Sequence, residues 1–145
     1  MILVDSDVFL IDLRYPRDRR FGDNRAFLDR LAISGQGATT IYNLLEVCGV
    51  LSFNLNRQQL RELYAHFARR FHIRVVPNAE PRQRLPAFRV GDLLSIVERR
   101  VSFGDALVFA LLEAQTAEET TFVTWNARHF RGRTEVDVRE PPAAL

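Results

Sequence analysis

Apolar residues recur along this chain in two rhythms, one of strands and one of helices. Ile2, Leu3 and Val4 run directly into Asp5, Ser6 and Asp7. A short unbroken apolar run of this kind predicts a strand covered on both faces. Residues 8–13 are mostly apolar and open a helix, with Ser6 or Asp7 as the expected cap. Residues 14–23, with Pro16, Gly22 and several arginines, read as an exposed loop. Phe27, Leu28 and Leu31 then share one face and predict a helix over 24–33, broken by Gly35 and Gly37.

The same alternation continues. Residues 38–40 predict a short strand, and a helix follows from Ile41, with Ile41, Leu44, Leu45 and Cys48 forming an amphipathic stripe. Asn43, Glu46 and Gly49 lie on a different face of it. This helix should end within 52–56. Leu60, Leu63, Tyr64, Phe67 and Phe71 are in phase for the next helix, and residues 72–76 turn extended. Residues 77–90, with three prolines and three arginines, form the least regular stretch. Val90, Leu93, Leu94 and Val97 restore helical spacing. Residues 102–114 are apolar nearly all round after Asp105 and predict a buried helix. Residues 121–124 read as a fourth strand, 126–132 as a loop or helical turn, 135–138 as a fifth strand and the Pro-Pro-Ala-Ala-Leu end as a loose tail.

Strands alternating with helices predict a parallel α/β sandwich, because parallel neighbours need crossovers. In such a sheet every crossover helix starts at the strands' C-terminal edge, where ligands bind. Asp5 ends the first strand, Glu46 stands in the second turn after the second, Asp105 opens the helix before the fourth, and Asn126 follows the fourth. All four can share one rim.

Composition narrows the setting. The 145 residues suffice for one domain, 1–145, with its own core. Neither a membrane-length apolar run nor a signal peptide is evident. The single cysteine, Cys48, fits a reducing cytoplasm and reads as core. All 20 basic residues are arginine, whose planar fork suits phosphates and stacks on bases. Arginine-for-lysine usage also follows genome composition.

Carboxylates gathered on one rim repel each other unless a cation lies among them, and oxygen-only donors suit Mg²⁺ or Mn²⁺. Metal-assisted hydrolysis of a phosphate ester is the corresponding chemistry. Each acid also has a plainer reading. Asp5 suits a helix cap, Asp105 follows Ser102 at capping-box spacing, and a lone Glu46 is commonly just solvated. Asp7, Asp92 and Glu98 read as solvated, and His129 as structural. His66 and His72 lack partners at zinc spacing.

These residues resemble the PIN domain family, in particular its VapC-type toxin ribonucleases, along nearly the whole chain. The motifs are Ile2 to Ser6; Asn43, Glu46 and Gly49; Gly104, Asp105, Ala106 and Leu107; and Thr124, Trp125, Asn126, His129 and Phe130. The resemblance implies a PIN-like three-layer sandwich whose five-stranded parallel sheet has the order 3-2-1-4-5. It implies a Mg²⁺- or Mn²⁺-dependent endoribonuclease with Asp5, Glu46 and Asp105 as the metal-binding acids and Asn126 at the fourth catalytic position. It further implies an RNA substrate, a VapB-like antitoxin and a homodimer. Asn126 departs from the aspartate common there and brings no charge. Tyr64, Phe67 and Phe71 offer aromatic bulk from which an exposed remainder would make a two-fold contact.

Two rival readings use the same residues. The Asp5-Ser6-Asp7 stretch also resembles the nucleophile motif of haloacid-dehalogenase-like phosphatases, with Asp5 phosphorylated and Asp7 as general acid. That family expects a later aspartate where Phe109 stands and a cationic residue that only an arginine can supply here. The other rival is a catalytically degenerate PIN module that binds RNA without cutting it, for which Asn126 is the one supporting feature.

Overall fold

In the computed structural model, which describes residues 1–115 and 119–145, five short strands form one parallel sheet. They are β1 (Ile2–Val4), β2 (Gly37–Thr40), β3 (Arg74–Val76), β4 (Thr121–Val123) and β5 (Asp137–Arg139). Their spatial order is β3-β2-β1-β4-β5, the order expected. Central β1 pairs with β2 through Ile2 opposite Gly37, and with β4 through Val4 opposite Val123.

The strand period of two divides the interior. Ile2 and Val4 point into one apolar cluster and Leu3 into the other. The first cluster is closed by α1 (Ser6–Arg14), α2 (Phe21–Ser34), α3 (Ile41–Leu51) and α4 (Arg57–Phe71). The second is closed by α5 (Val90–Val97), α6 (Phe103–Gln115) and α7 (Ala127–Phe130). In the second, Phe109, Phe122 and Phe130 meet edge to face at centroid distances of 5.5 to 5.8 Å. Phe109 is thus wholly committed to packing. Cys48 is buried in the first cluster, as read, and burial raises its thiol pKa.

Gly37 is where the layers approach most closely. A Cβ there would lie 2.7 Å from Cγ2 of Ile73 and 3.0 Å from Cγ of Leu31. Only a residue without a side chain lets β2 lie between α2 and the segment entering β3. The end of β2 is held by Thr39, whose hydroxyl donates to the Val4 carbonyl at 2.8 Å.

Several expectations need correction. Helix α2 starts at Phe21, inside the stretch read as loop, because the Phe21 amide donates to the Asp18 carbonyl and winds the chain up early. The connection is therefore only residues 15–20. Tyr64, Phe67 and Phe71 leave little aromatic surplus outside: Phe67 and Phe71 are buried against Phe9, and the half-buried Tyr64 donates its hydroxyl to the Ala79 carbonyl. The C-terminal tail is not loose, since residues Pro141–Ala143 form a 3₁₀ turn that packs on α2 with Pro141 buried. Residues 77–89 are irregular, as expected.

Candidate active site

Asp5 is placed by the break between β1 and α1. Its backbone is extended, its amide donates to the Val123 carbonyl and its Oδ1 caps α1 by accepting the Ser6 amide at 2.8 Å. The capping reading of Asp5 is therefore correct, and it does not exhaust the residue. Oδ1 also accepts from Asn43 Nδ2 at 2.9 Å, and the Ser6 hydroxyl oxygen lies 3.3 Å from it. The residue is 8% exposed.

Thr40 caps α3, accepting the Asn43 amide at 3.0 Å and donating its hydroxyl to Asn43 Oδ1 at 2.6 Å. That leaves the Asn43 amide nitrogen aimed at Asp5. One turn on, the exposed Glu46 accepts the Ser6 hydroxyl at Oε2 at 2.6 Å. Asp5 and Glu46 are thus joined through one serine. Asp105 sits in the first turn of α6, where its amide donates to Ser102 Oγ and its Oδ2 accepts from the same hydroxyl at 2.7 Å. Of the capping box predicted from spacing only the bond to Ser102 Oγ is present, and Asp105 is near enough to raise the pKa of Asp5 through its charge. Asn126 is exposed and precedes α7; its amide donates to Thr124 Oγ1 and its side chain makes no cap bond.

Asp7 was expected to be solvated and is not. Its Oδ2 accepts the Thr124 hydroxyl at 3.0 Å and the Trp125 amide at 2.9 Å, tying α1 to the end of β4. Its Oδ1 is buried without a hydrogen-bond partner. Sequence spacing conceals this because both partners lie more than a hundred positions away. Asp92 and Glu98 are exposed, as expected. His129 lies against Arg133 at 2.7 Å, a local structural contact.

Burial, then the neighbouring charge of Asp7 and more weakly that of Asp105, pushes the Asp5 carboxyl up to about 8, against the opposing hydrogen bonds of Thr124 and Ser6. Burial likewise pushes Asp7 up, to about 6. These two acids titrate as a pair. Among the described residues no three His, Cys, Asp or Glu side chains are gathered tightly enough to form a ready metal cage. Asp5, Glu46 and Asp105 nevertheless offer only oxygens, the buried unpartnered Oδ1 of Asp7 adjoins them, and the repulsion that Asp7 and Asp105 exert on Asp5 is what a hard cation relieves. A surface hollow opens along β5, beside Arg99, Arg133 and Arg139, and includes none of the four rim residues.

A five-stranded parallel sheet in this order, flanked by helices on both faces, is a PIN-like α/β sandwich. No family model and no curated protein matches the sequence. Solved structures do match. The chain is similar to one in the structure of FitAB bound to the IR36 DNA fragment, with TM-score 0.61 and 16% identity, covering 100% of this chain and 98% of that one. It is similar to one in VapBC2 from Rickettsia felis bound to a DNA fragment from its promoter, with TM-score 0.63 and 18% identity over 97% and 98%. FitAcB from Neisseria gonorrhoeae gives TM-score 0.61 and 18% identity over 97% and 98%. At such identities the likeness establishes the fold. No helix among the described residues is long and apolar enough to cross a membrane.

Proposed function

We propose that this chain is a divalent-metal-dependent endoribonuclease, the toxin of a toxin–antitoxin pair, which hydrolyses RNA phosphodiester bonds. The observation that carries the reading is Asp5: a carboxylate at the end of the central strand, raised first by burial and then by its acidic neighbours, and tied to Glu46 through Ser6. Asp5, Glu46 and Asp105 would hold Mg²⁺ or Mn²⁺. When bound, such a cation supplies charge neutralisation at a phosphodiester and lowers the pKa of an attacking water. The chain's own contribution is orientation. Asn43 and Ser6 fix Oδ1 of Asp5, Ser6 steers Glu46, and Ser102 sets the rotamer of Asp105. Asn126, without charge, would polarise or position a ligand by hydrogen bonding.

The neighbours solved as toxin–antitoxin complexes support an antitoxin of VapB kind as partner. A homodimer belongs to the same reading, as does a cytoplasmic setting. The test is direct. Antitoxin-free protein is incubated with RNA and Mg²⁺ or Mn²⁺, with chelator as control. Cleavage that chelator abolishes and Asp5→Asn eliminates is the expected result. Cleavage that survives either treatment overturns the reading.

A further inference from the structure

Arg20 is held more firmly than its place in a surface connection requires. Its Nε and Nη2 take the two carboxylate oxygens of Asp18 at 3.0 and 2.8 Å, and its own amide donates to Asp18 Oδ1. Its guanidinium carbon lies over the Trp125 ring, 5.6 Å from the centroid. Trp125 is fixed in turn: its indole N–H donates at 2.7 Å to Oδ1 of Asn24, a wholly buried residue whose amide donates to the Val8 carbonyl. The Trp125 backbone amide donates to Asp7, so this assembly adjoins the carboxylates. The Arg20 side chain remains 39% exposed.

Two uses compete for a guanidinium in this position. A phosphate clamp needs net positive charge and free N–H edges. Here Asp18 neutralises the charge and occupies one forked edge, which weakens that use. A stacking surface needs a flat group held still, with one face covered and the other open. Asp18 fixes the guanidinium through its two-pronged contact, the Trp125 ring lies beneath the guanidinium carbon, and the side chain stays partly exposed. We propose that Arg20, backed by Trp125, is a platform on which an unpaired nucleobase of the RNA strand stacks beside the rim carboxylates. Guanidinium planes serve unpaired bases in this way, and duplexes do not offer such a face. Arg20 is then a substrate-positioning residue that selects single-stranded RNA. This rests on the ribonuclease reading.

The experiment measures binding rather than cleavage. Asp5→Asn protein in chelator is titrated with a labelled single-stranded RNA of mixed sequence and with a duplex of equal length, over a range of salt. Anisotropy reports affinity, and Trp125, the only tryptophan in the chain, reports contact through its own fluorescence. Arg20→Lys keeps the charge and removes the plane, and Arg17→Lys serves as the loop control.

Arg20→Lys is expected to lose about tenfold in single-strand affinity, the size of one stacked base. Duplex affinity and the salt slope should not change, and the fluorescence response should fall. Unchanged single-strand affinity, or an equal loss for duplex, overturns the platform while leaving the ribonuclease reading intact. A fall in salt slope of about 0.7 with Arg20→Gln and none with Arg20→Lys identifies a plain phosphate contact and equally overturns it. Failure of the Asp5→Asn parent to bind either RNA overturns the platform, while the ribonuclease reading is decided by the cleavage assay.

Discussion

The side-chain amide of Asn43 donates to Oδ1 of Asp5 at 2.9 Å, across 38 positions of sequence. Asn43 is 1% exposed and its other amide atom is engaged by Thr40, so it has no freedom to turn away. Removing it takes away the one donor that α3 supplies to Asp5. Asn43→Ala should therefore cost about 1–3 kcal/mol in folding stability, the range for a truncated buried hydrogen-bond partner. It should also reduce kcat more than it raises KM, because Asn43 orients an acid and does not contact RNA. Denaturation midpoints with steady-state kinetics check both. A change confined to KM would count against the positioning role.

The raised carboxyl of Asp5 sets a pH dependence. Burial and the neighbouring acids push its pKa up to about 8 in the folded protein, from an ordinary carboxyl value of 3.8. A carboxyl raised by folding contributes stability that is complete below its unfolded pKa and is lost as pH rises through the folded value. Metal-free protein should thus weaken progressively from about pH 4 to about pH 8. Asp5→Asn keeps the acceptor and removes the charge, so it should flatten the profile and exceed the parent in stability at the alkaline end. Urea midpoints across this window measure it. Saturating Mn²⁺ should reverse the order by stabilising the parent alone.

Asn126→Asp is the converse substitution. The position is exposed and its side chain makes no cap bond, so stability in chelator should change by no more than about 0.5 kcal/mol. Calorimetry should show Mn²⁺ bound several-fold more tightly. An unaltered Mn²⁺ isotherm would remove Asn126 from the vicinity of the cation.

Arg82, Arg84 and Arg89 stand exposed in the irregular segment before α5. If they contact the RNA backbone, each neutralising substitution should lower the salt slope of binding by about 0.7. Filter binding over a salt series is sufficient. Slopes equal to the parent's would leave these residues merely solvated.

Much of this architecture was legible because it depends on local rhythm. Ile2, Leu3 and Val4 announce a central strand, and the stripe of Ile41, Leu44 and Cys48 announces a crossover helix, since both patterns follow from backbone geometry alone. Asp5, Glu46 and Asp105 could be assigned to one edge for the same reason. The state of Asp7 was not legible. Spacing places its Cα in the first turn of α1, but its burial depends on Thr124 and Trp125 arriving from the other end of the chain. The link from Asn43 to Asp5 was likewise invisible until Thr40 fixed the amide. The aromatic surplus assigned to α4 was overcounted because Phe9 of α1 meets Phe67 and Phe71 at 4.9 Å, a long-range pairing that helical phase does not encode.

The pinch at Gly37 bears on how tolerant this chain can be to variation. Its two close neighbours, Ile73 and Leu31, sit at the edge of the sheet away from the acids. Strand β2 is only four residues long, too short to absorb a displacement, and its last residue is Thr40, the cap that aims Asn43. Even an alanine at Gly37 would therefore act as a lever, with its load at one end of the sheet and its effect at the other. A library of single substitutions screened for lost activity should return this far-side glycine among the acids, although nothing about its location would nominate it.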